Sequence, residues 1–77
     1  MSIANRNRLK ILSFLKTRTA TVSDIAEAIN LKIKSTSKHL KILEAAGVIE
    51  RKKKGLFVRY AIVKKQGPIL QNLLRHL

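Results

Sequence analysis

Two short helical patterns, separated by a tight turn, lie within residues 21–46, and a basic hairpin pattern follows them directly. In the first pattern, apolar residues recur at helical spacing from Val22 to Ile29. Thr21 precedes them as the predicted N-cap. Asn30 follows them and is predicted to end the helix in a left-handed backbone conformation. Two helices joined by so tight a turn form a helix-turn-helix, which restricts the chain to a small set of folds.

The second helical pattern, at about residues 33–46, has an apolar face and a basic face when successive residues are placed 100° apart. Leu40 and Leu43 fall on the apolar face, and Gly47 ends the helix. The basic face repeats at i, i+3, i+4 and i+7, as Lys34, Ser37, Lys38 and Lys41. A lysine face is ordinarily only solvated. Here the positive residues lie in the half of the second helix that enters a DNA major groove, which favours DNA contact.

The basic face is expected to read bases only to a limited extent. Lysine can donate to guanine N7 and O6, but it serves equally well as a point charge on phosphate. The face lacks Arg, Asn and Gln, whose two-pronged contacts are the strongest base readers. Ser35 and Thr36, near the helix start, are predicted to bind phosphate or to complete the cap. Sequence preference is therefore predicted to be modest or to depend on DNA shape.

A β-hairpin is predicted at about residues 48–63, with Gly55 as the turn residue. The segment from residue 51 to residue 65 has seven cations and no acid: Arg51, Lys52, Lys53, Lys54, Arg59, Lys64 and Lys65. A charged hairpin is usually only a soluble turn. Beside a candidate recognition helix it becomes a candidate wing, which touches the DNA backbone or minor groove. Phe57, on the outward face of the second strand, is predicted to cover either the edge of the core or a partner, and the edge of the core is the favoured alternative.

The net charge of +13 indicates a polyanionic partner. Seventeen Lys and Arg against four Asp and Glu, in 77 residues, repel one another unless a polyanion relieves the repulsion. Nucleic acid is the first candidate and an anionic membrane surface is the competitor. No apolar run approaches the roughly 20 residues of a membrane span, and the N-terminus lacks a signal-peptide pattern. The expected location is cytoplasmic, in association with DNA and with no membrane partner.

One domain is expected over residues 1–77, near the lower size limit for a self-sufficient core. Cysteine is absent, and the two histidines, His39 and His76, lie far apart in sequence. His39 is predicted to be a structural histidine on the boundary of the buried face. The sequence has no paired carboxylates, activated nucleophile or phosphate-cradling glycine loop. We therefore predict no metal, no cofactor and no enzymatic activity, and no small-molecule effector is evident.

A further helix is predicted at each end of the chain. Residues 4–18 carry a helical apolar stripe, and Pro68 opens a last helix at about residues 68–77. The stripe of the last helix consists of four leucines: Leu70, Leu73, Leu74 and Leu77. This stripe either closes the core of the monomer or forms a dimer contact, and both alternatives stay open. A dimer would present two recognition helices to major grooves roughly 34 Å apart.

The predicted parts form a small winged helix-turn-helix of the α+β class, with three helices, a two-stranded hairpin wing and a short C-terminal helix. The chain resembles the ArsR-type regulators of this fold. The resemblance is carried by NRLKILSFL, TVSDIAEAINL, STSKHLKILEAAGVIERKKKG and FVRYAI, which cover most of residues 7–62. It implies a dimeric transcriptional repressor that binds operator DNA through the second helix of the motif and the wing. The implied groove or backbone contacts are Lys34, Ser35, Ser37, Lys38 and Lys41, and the implied wing contacts are Arg51, Lys52, Lys53, Lys54 and Arg59.

The chain departs from the ArsR pattern in three respects. Thr36 stands where an apolar residue is common in the family, and Lys34 stands where a small polar residue is common. The metal-sensing cysteine motif of the family should fall around Ser23 to Ala28, where this chain reads SDIAEA, so a metal switch is not predicted. The longer dimerising helices that are usual in the family are missing or shortened at both ends. The compact, very basic, Ile- and Lys-rich sequence is also similar to regulators from archaea and their viruses or plasmids.

The sequence therefore predicts a double-stranded-DNA-binding protein with some sequence preference, acting as a repressor-type transcriptional regulator and as a homodimer. The alternative is an architectural protein that coats DNA without regard to sequence, which the +13 charge and the missing base readers favour. RNA binding is a third hypothesis. The scarcity of aromatic residues for base stacking argues mildly against single-stranded RNA.

Overall fold

The computed structural model describes residues 5–77 and has the predicted order of parts. The elements are α1 (Arg6–Leu15), α2 (Val22–Ile29), α3 (Ile33–Ala45), β1 (Ile49–Lys54), β2 (Phe57–Ile62) and α4 (Pro68–Arg75). The two strands form one antiparallel sheet. The prediction of a small α+β winged helix-turn-helix is confirmed. Within residues 5–77, no helix is both long and apolar enough to span a lipid bilayer.

Both ends of α2 have the chemistry that the sequence predicts. The Thr21 hydroxyl accepts a hydrogen bond from the backbone N–H of Asp24 at 3.2 Å, which satisfies a donor that the helix leaves unpaired. Asn30 adopts the left-handed conformation with φ 55° and ψ 52°. The backbone N–H of Leu31 then donates to the carbonyl of Ala26 at 2.9 Å and closes the helix end. The left-handed Asn30 and this bond turn the chain tightly from α2 into α3.

Thr36 lies inside the core and not at the helix cap. Its side chain is fully buried, and its hydroxyl donates to the carbonyl of Lys32, one turn earlier, at 2.9 Å. That bond satisfies a buried hydroxyl, which would otherwise be costly to desolvate. The prediction that Thr36 binds phosphate or completes the cap is therefore wrong, and Lys32, the N-cap residue, makes no side-chain capping bond.

The hairpin is in register from the pair Ile49 and Ile62 at its base to the pair Lys54 and Phe57 at its tip. Gly55 has φ +62° in the turn, a conformation that favours glycine because it has no Cβ. Phe57 is 65% exposed, so the prediction that it covers the edge of the core is wrong. Its pairing with Lys54 holds it at the tip, whereas the buried residues of the hairpin lie at the opposite end.

A short backbone bridge ties the hairpin to the chain between α1 and α2. Ala20 N–H donates to the Tyr60 carbonyl at 3.1 Å, and Tyr60 N–H donates to the Ala20 carbonyl at 2.7 Å. A single paired residue has no periodicity, so the sequence did not predict this bridge. The predicted first helix, at residues 4–18, extends too far because the chain leaves α1 after Leu15 to reach Tyr60. The predicted start at residue 4 lies outside the described residues.

The core collects the apolar faces of all the helices and the base of the hairpin. Its most buried large side chains, each below 2% exposure, come from α1, α2, α3 and β1: Ile11, Leu12, Ile25, Leu40, Leu43 and Ile49. Burial of side chains of this size contributes about 1.5–3 kcal/mol each. α3 is therefore held on one side only, by contacts with α1, α2 and β1.

The leucine stripe of α4 closes the core of the monomer, at least at Leu74. That side chain is 7% exposed and belongs to the core cluster, while Leu70, Leu73 and Leu77 are half-buried against it. The ammonium of Lys16, which directly follows α1, donates a hydrogen bond to the carbonyl of Leu77 at 3.0 Å. Leu74 is therefore not available for the predicted dimer contact, whereas the other three leucines remain a prediction for it.

The contact between α1 and α3 includes a histidine that accepts a hydrogen bond. Arg8 on α1 donates its Nε–H to Nδ1 of His39 on α3 at 3.3 Å. Burial and, secondarily, the nearby Arg8 guanidinium lower the pKa of His39 from its ordinary value of 6.5. A protonated Nδ1 could not accept this bond, so neutral His39 fits the site. The structural role predicted for His39 agrees with this position.

We expect Leu43→Ala to lower the free energy of unfolding by about 2–5 kcal/mol, because the substitution leaves a cavity under α3. The same substitution at Leu56, which is 98% exposed, is expected to change that free energy by less than about 0.5 kcal/mol. Urea denaturation of both variants, followed by circular dichroism, makes the comparison. Similar losses in the two variants would contradict the placement of Leu43 in the core.

We expect the free energy of unfolding to decrease as pH falls below about 6.5. The unfolded chain has His39 at its ordinary pKa and binds a proton in a range where the folded chain does not, so acid favours unfolding. His39→Asn removes this titration and should make the loss at acid pH shallower. Urea denaturation at a series of pH values measures both slopes. Equal slopes for the two proteins would assign the acid sensitivity to other groups.

Candidate nucleic-acid interface

α3 presents its charged face to solvent because its apolar face is committed to the core. Thr36, Leu40 and Leu43 are buried. Lys38 and Lys41 project from the other side of the same helix and are exposed. This geometry confirms the division of faces that the periodicity predicts. The helix is therefore oriented by packing, and its cations need no contact of their own to hold them outward.

The five predicted recognition-helix residues differ in exposure. The three lysines are exposed and the two serines are half-buried: Lys34, Lys38, Lys41, Ser35 and Ser37. An exposed lysine reaches several ångströms beyond the helix, while a serine hydroxyl stays close to the backbone. The lysines can therefore reach phosphates or guanine edges, and the serines can bond only to groups that approach the helix closely.

Ile33 is a candidate contact that the sequence patterns did not identify. It is the first residue of α3, next to Lys34, and 53% of its surface is exposed. An apolar side chain at the N-terminal end of a recognition helix can contact the methyl group of thymine. Charge was the criterion for the predicted face, so an isoleucine at its edge gave no signal; exposure, which only the structure provides, reveals it.

The predicted wing cations lie on both faces of the hairpin and do not form one surface. Cross-strand pairs share a face, so Arg51 lies with Tyr60 and Lys53 lies with Val58. That face is turned toward α3, since Arg51 Nε donates to Glu44 of α3 at 3.0 Å. The remaining predicted wing cations share the opposite face: Lys52, Lys54 and Arg59.

Two of the predicted wing cations have ion-pair partners within the protein. Arg51 pairs with Glu44, and Lys52 pairs with Glu50 at 3.5 Å. Both pairs are exposed to solvent, where such pairs contribute about 0–1 kcal/mol and rearrange readily. For Lys53 and Lys54, the structure of residues 5–77 shows no ion pair or side-chain hydrogen bond. These two cations at the end of β1 are the ones most available to an external anion.

Arg59 has a structural task that the charge pattern alone did not indicate. Its guanidinium donates to the hydroxyl of Thr19 at 3.1 Å and to the Thr19 carbonyl at 3.2 Å. These bonds reinforce the neighbouring backbone bridge between Ala20 and Tyr60. Guanidinium has five N–H donors, so a phosphate contact is compatible with both bonds. Arg59 therefore positions the wing in addition to any contact it makes with DNA.

No metal-binding cluster accompanies the basic surface in the described part of the chain. No group of three or more His, Asp or Glu residues there could hold a metal ion. His39 faces Arg8 on α1, and His76 Nδ1 lies 2.7 Å from the carbonyl of Asn72 on its own helix. What the geometry brings together is a set of cations on an exposed helix face and a neighbouring hairpin, an arrangement suited to polyanion binding.

Comparison with known proteins agrees with this geometry. The chain is 43% identical over 61 residues to the transcriptional repressor SdpR of Bacillus subtilis, a match that covers 79% of this chain and 68% of SdpR. A homodimeric winged helix-turn-helix DNA-binding domain from Mycobacterium bovis, Mb0332, superposes with a TM-score of 0.81 at 28% identity. That superposition covers 96% of this chain and 66% of the Mb0332 fragment. NolR of Sinorhizobium fredii has the same fold, with a TM-score of 0.83 at 23% identity over 96% of this chain and 71% of NolR.

The sequence match to a protein family covers the helix-turn-helix and the start of the wing. Residues 5–51 match the family described as bacterial regulatory protein, arsR family. The proteins named above are bacterial, and none of them supports the similarity to archaeal, viral or plasmid regulators that the composition suggested. The ArsR-type resemblance itself is confirmed, and the chain belongs to the ArsR family of bacterial transcriptional regulators.

Proposed function

We propose that this ArsR-family protein is a repressor that binds preferred sites in double-stranded DNA as a homodimer in the cytoplasm. The observation that carries the proposal is the exposed basic face of α3, which core packing holds outward on the second helix of a helix-turn-helix. In this fold that helix enters the major groove with its N-terminal half. The repressor role is supported by the 43% identity to SdpR, which is named a transcriptional repressor.

The proposed recognition surface divides into base-contacting and backbone-contacting parts. Lys34, Lys38 and Lys41 are exposed on the helix that would lie in the groove, and so they are proposed to reach guanine edges or the phosphates that border it. Lys53 and Lys54 on the hairpin are proposed to bind phosphate. Phosphate contacts release counterions, so affinity should fall steeply as salt concentration rises.

The homodimer is supported by the Mb0332 structure and by what α4 leaves half-buried. Mb0332 is described as homodimeric, and this chain spans 66% of that fragment. Leu70, Leu73 and Leu77 keep part of their surface exposed after Leu74 has entered the core, and we propose that they contribute to the dimer contact. Two copies would read two half-sites, one DNA turn or about 34 Å apart.

An architectural role is the second candidate function, and one observation favours it. The exposed face of α3 has lysines but no Arg, Asn or Gln, the residues that form two hydrogen bonds with one base. A surface of this kind binds DNA mainly through charge, which carries no sequence information. The two functions differ in one measurable quantity, the ratio of affinities for a preferred site and for unrelated DNA.

We expect the protein to bind DNA from upstream of its own gene at least about a hundredfold more tightly than a shuffled duplex of equal length and composition. Fluorescence anisotropy at near-physiological salt measures both affinities, and footprinting then locates the site. Equal affinities for these two duplexes and for genomic fragments selected by the protein would contradict sequence preference. That result would support the architectural role instead.

We expect Lys38→Ala to weaken binding to the preferred site by about 1–3 kcal/mol and to weaken binding to shuffled DNA less, because a base contact is lost. Lys53→Ala should weaken both complexes alike and reduce the slope of log affinity against log salt by about 1, because a phosphate contact is lost. Lys10→Ala, an exposed lysine on α1, is the matched control. Equal losses on both duplexes for Lys38→Ala would assign Lys38 to the backbone.

A further inference from the structure

The tip of the wing exposes two large apolar side chains that the fold does not use. Leu56 is 98% exposed and Phe57 is 65% exposed, at consecutive positions after Gly55. Singly exposed apolar residues are ordinary, but two adjacent ones at the end of a projecting hairpin form a small apolar surface that water solvates poorly. Neither residue belongs to the core cluster or packs against it.

The hydrogen-bonded backbone of the hairpin determines where these two side chains are presented. Gly55 has φ +62° and makes the two-residue turn, while Phe57 is paired with Lys54 across the hairpin. Farther back, Tyr60 is bonded to Ala20 and Arg59 to Thr19, which secure the base of β2 to the body of the protein. A rigid element loses little conformational entropy on binding, so an apolar group at its end is well suited to insertion.

The charges beside the apolar tip select the kind of partner. Lys53 and Lys54 immediately precede the turn, and within residues 5–77 their side chains make no ion pair or hydrogen bond, so the apolar pair is bordered by cations. A second copy of this chain would bring the same lysines and a charge of +13 against them. A partner with an anionic rim and an apolar interior fits better. DNA entered from the minor groove has this character, since phosphates line the groove and an inserted side chain reaches the apolar faces of the stacked bases.

We propose that Leu56 and Phe57 form an apolar wedge that enters the minor groove and partly unstacks a base step. This inference rests on the proposed DNA-binding function and adds a mode of recognition to it. Architectural DNA-binding proteins insert Phe or Leu between base pairs in this way, and the duplex kinks by about 20–90°. The cost is lowest at flexible pyrimidine–purine steps, so the wedge would select such a step beneath the wing without a hydrogen bond to a base.

Phe57→Trp provides a direct test because the chain contains no tryptophan. The new indole is then a single probe at the tip, and stacking on bases quenches its fluorescence. Ile69→Trp is the matched control, since Ile69 is 85% exposed on α4 and lies outside the proposed DNA surface. Both proteins are titrated with the duplex that binds most tightly, and anisotropy of a dye on the DNA records binding separately. We expect strong quenching for Phe57→Trp and little change for Ile69→Trp.

A second pair of variants tests what the wedge does to the DNA. The end-to-end distance of a duplex with a dye at each end reports its bending. The wild-type protein should shorten this distance as a kink of about 20–90° requires. Leu56→Ser/Phe57→Ser should bind with a loss of affinity of about tenfold or less and leave the duplex nearly straight. Ile69→Ser should bend the DNA as the wild type does.

The outcomes separate the wedge from DNA binding itself. Full DNA binding without quenching at position 57, or equal bending by the wild type and the double serine variant, would overturn the wedge and leave the proposed function intact. Failure of the wild type to bind any duplex would overturn both. Dimerisation that is lost on Leu56→Ser/Phe57→Ser, measured by sedimentation without DNA, would assign the tip to a contact between copies and also overturn the wedge.

Discussion

The burial of one face of α3 against α1, α2 and β1 determines where every candidate contact of that helix lies. Leu40 and Leu43 are almost fully buried, and Thr36, one turn before Leu40, donates its buried hydroxyl to the carbonyl of Lys32. Lys38 and Lys41 lie on the face of α3 opposite these buried residues, so packing of the apolar face leaves both lysines in solvent. The cations thus need no ion pair to orient them, and they stay free for an external polyanion. The packing that forms the core therefore also leaves the proposed binding surface exposed.

The base of the wing is bonded to the body of the protein, whereas its tip makes no contact with the core. At its base, Ile49 enters the core, and the Ala20–Tyr60 bridge and the Arg59–Thr19 bonds secure β2. At its tip, the side chains face solvent and make no contribution to the core. The contacts that stabilise the fold and the proposed recognition residues therefore lie at opposite ends of the same hairpin, which lets residues at the tip differ without loss of the fold.

Electrostatic repulsion is the cost of this arrangement. The four acids cannot neutralise seventeen basic residues, and they are used locally. Glu44 and Glu50 pair with Arg51 and Lys52, while Asp24 lies in the first turn of α2, where negative charge suits the helix dipole. The remaining positive charge destabilises the isolated protein, and a bound polyanion would relieve it. A small core contributes little stability to offset this repulsion, so the proposed DNA partner would also stabilise the folded protein.

The sequence by itself determined the order of the elements, the caps at Thr21 and Asn30 and the two faces of α3, because each is a local property of periodicity or of a residue's backbone preference. Tertiary structure decided the rest. The Ala20–Tyr60 bridge, the Arg59–Thr19 bonds, the entry of Leu74 into the core and the exposure of Ile33 and Phe57 all depend on residues distant in sequence. A single pair of bonded residues produces no periodic pattern in the sequence. An apolar residue at the tip of a strand is also the same residue type as one in the core, so only the folded structure shows which of the two is exposed.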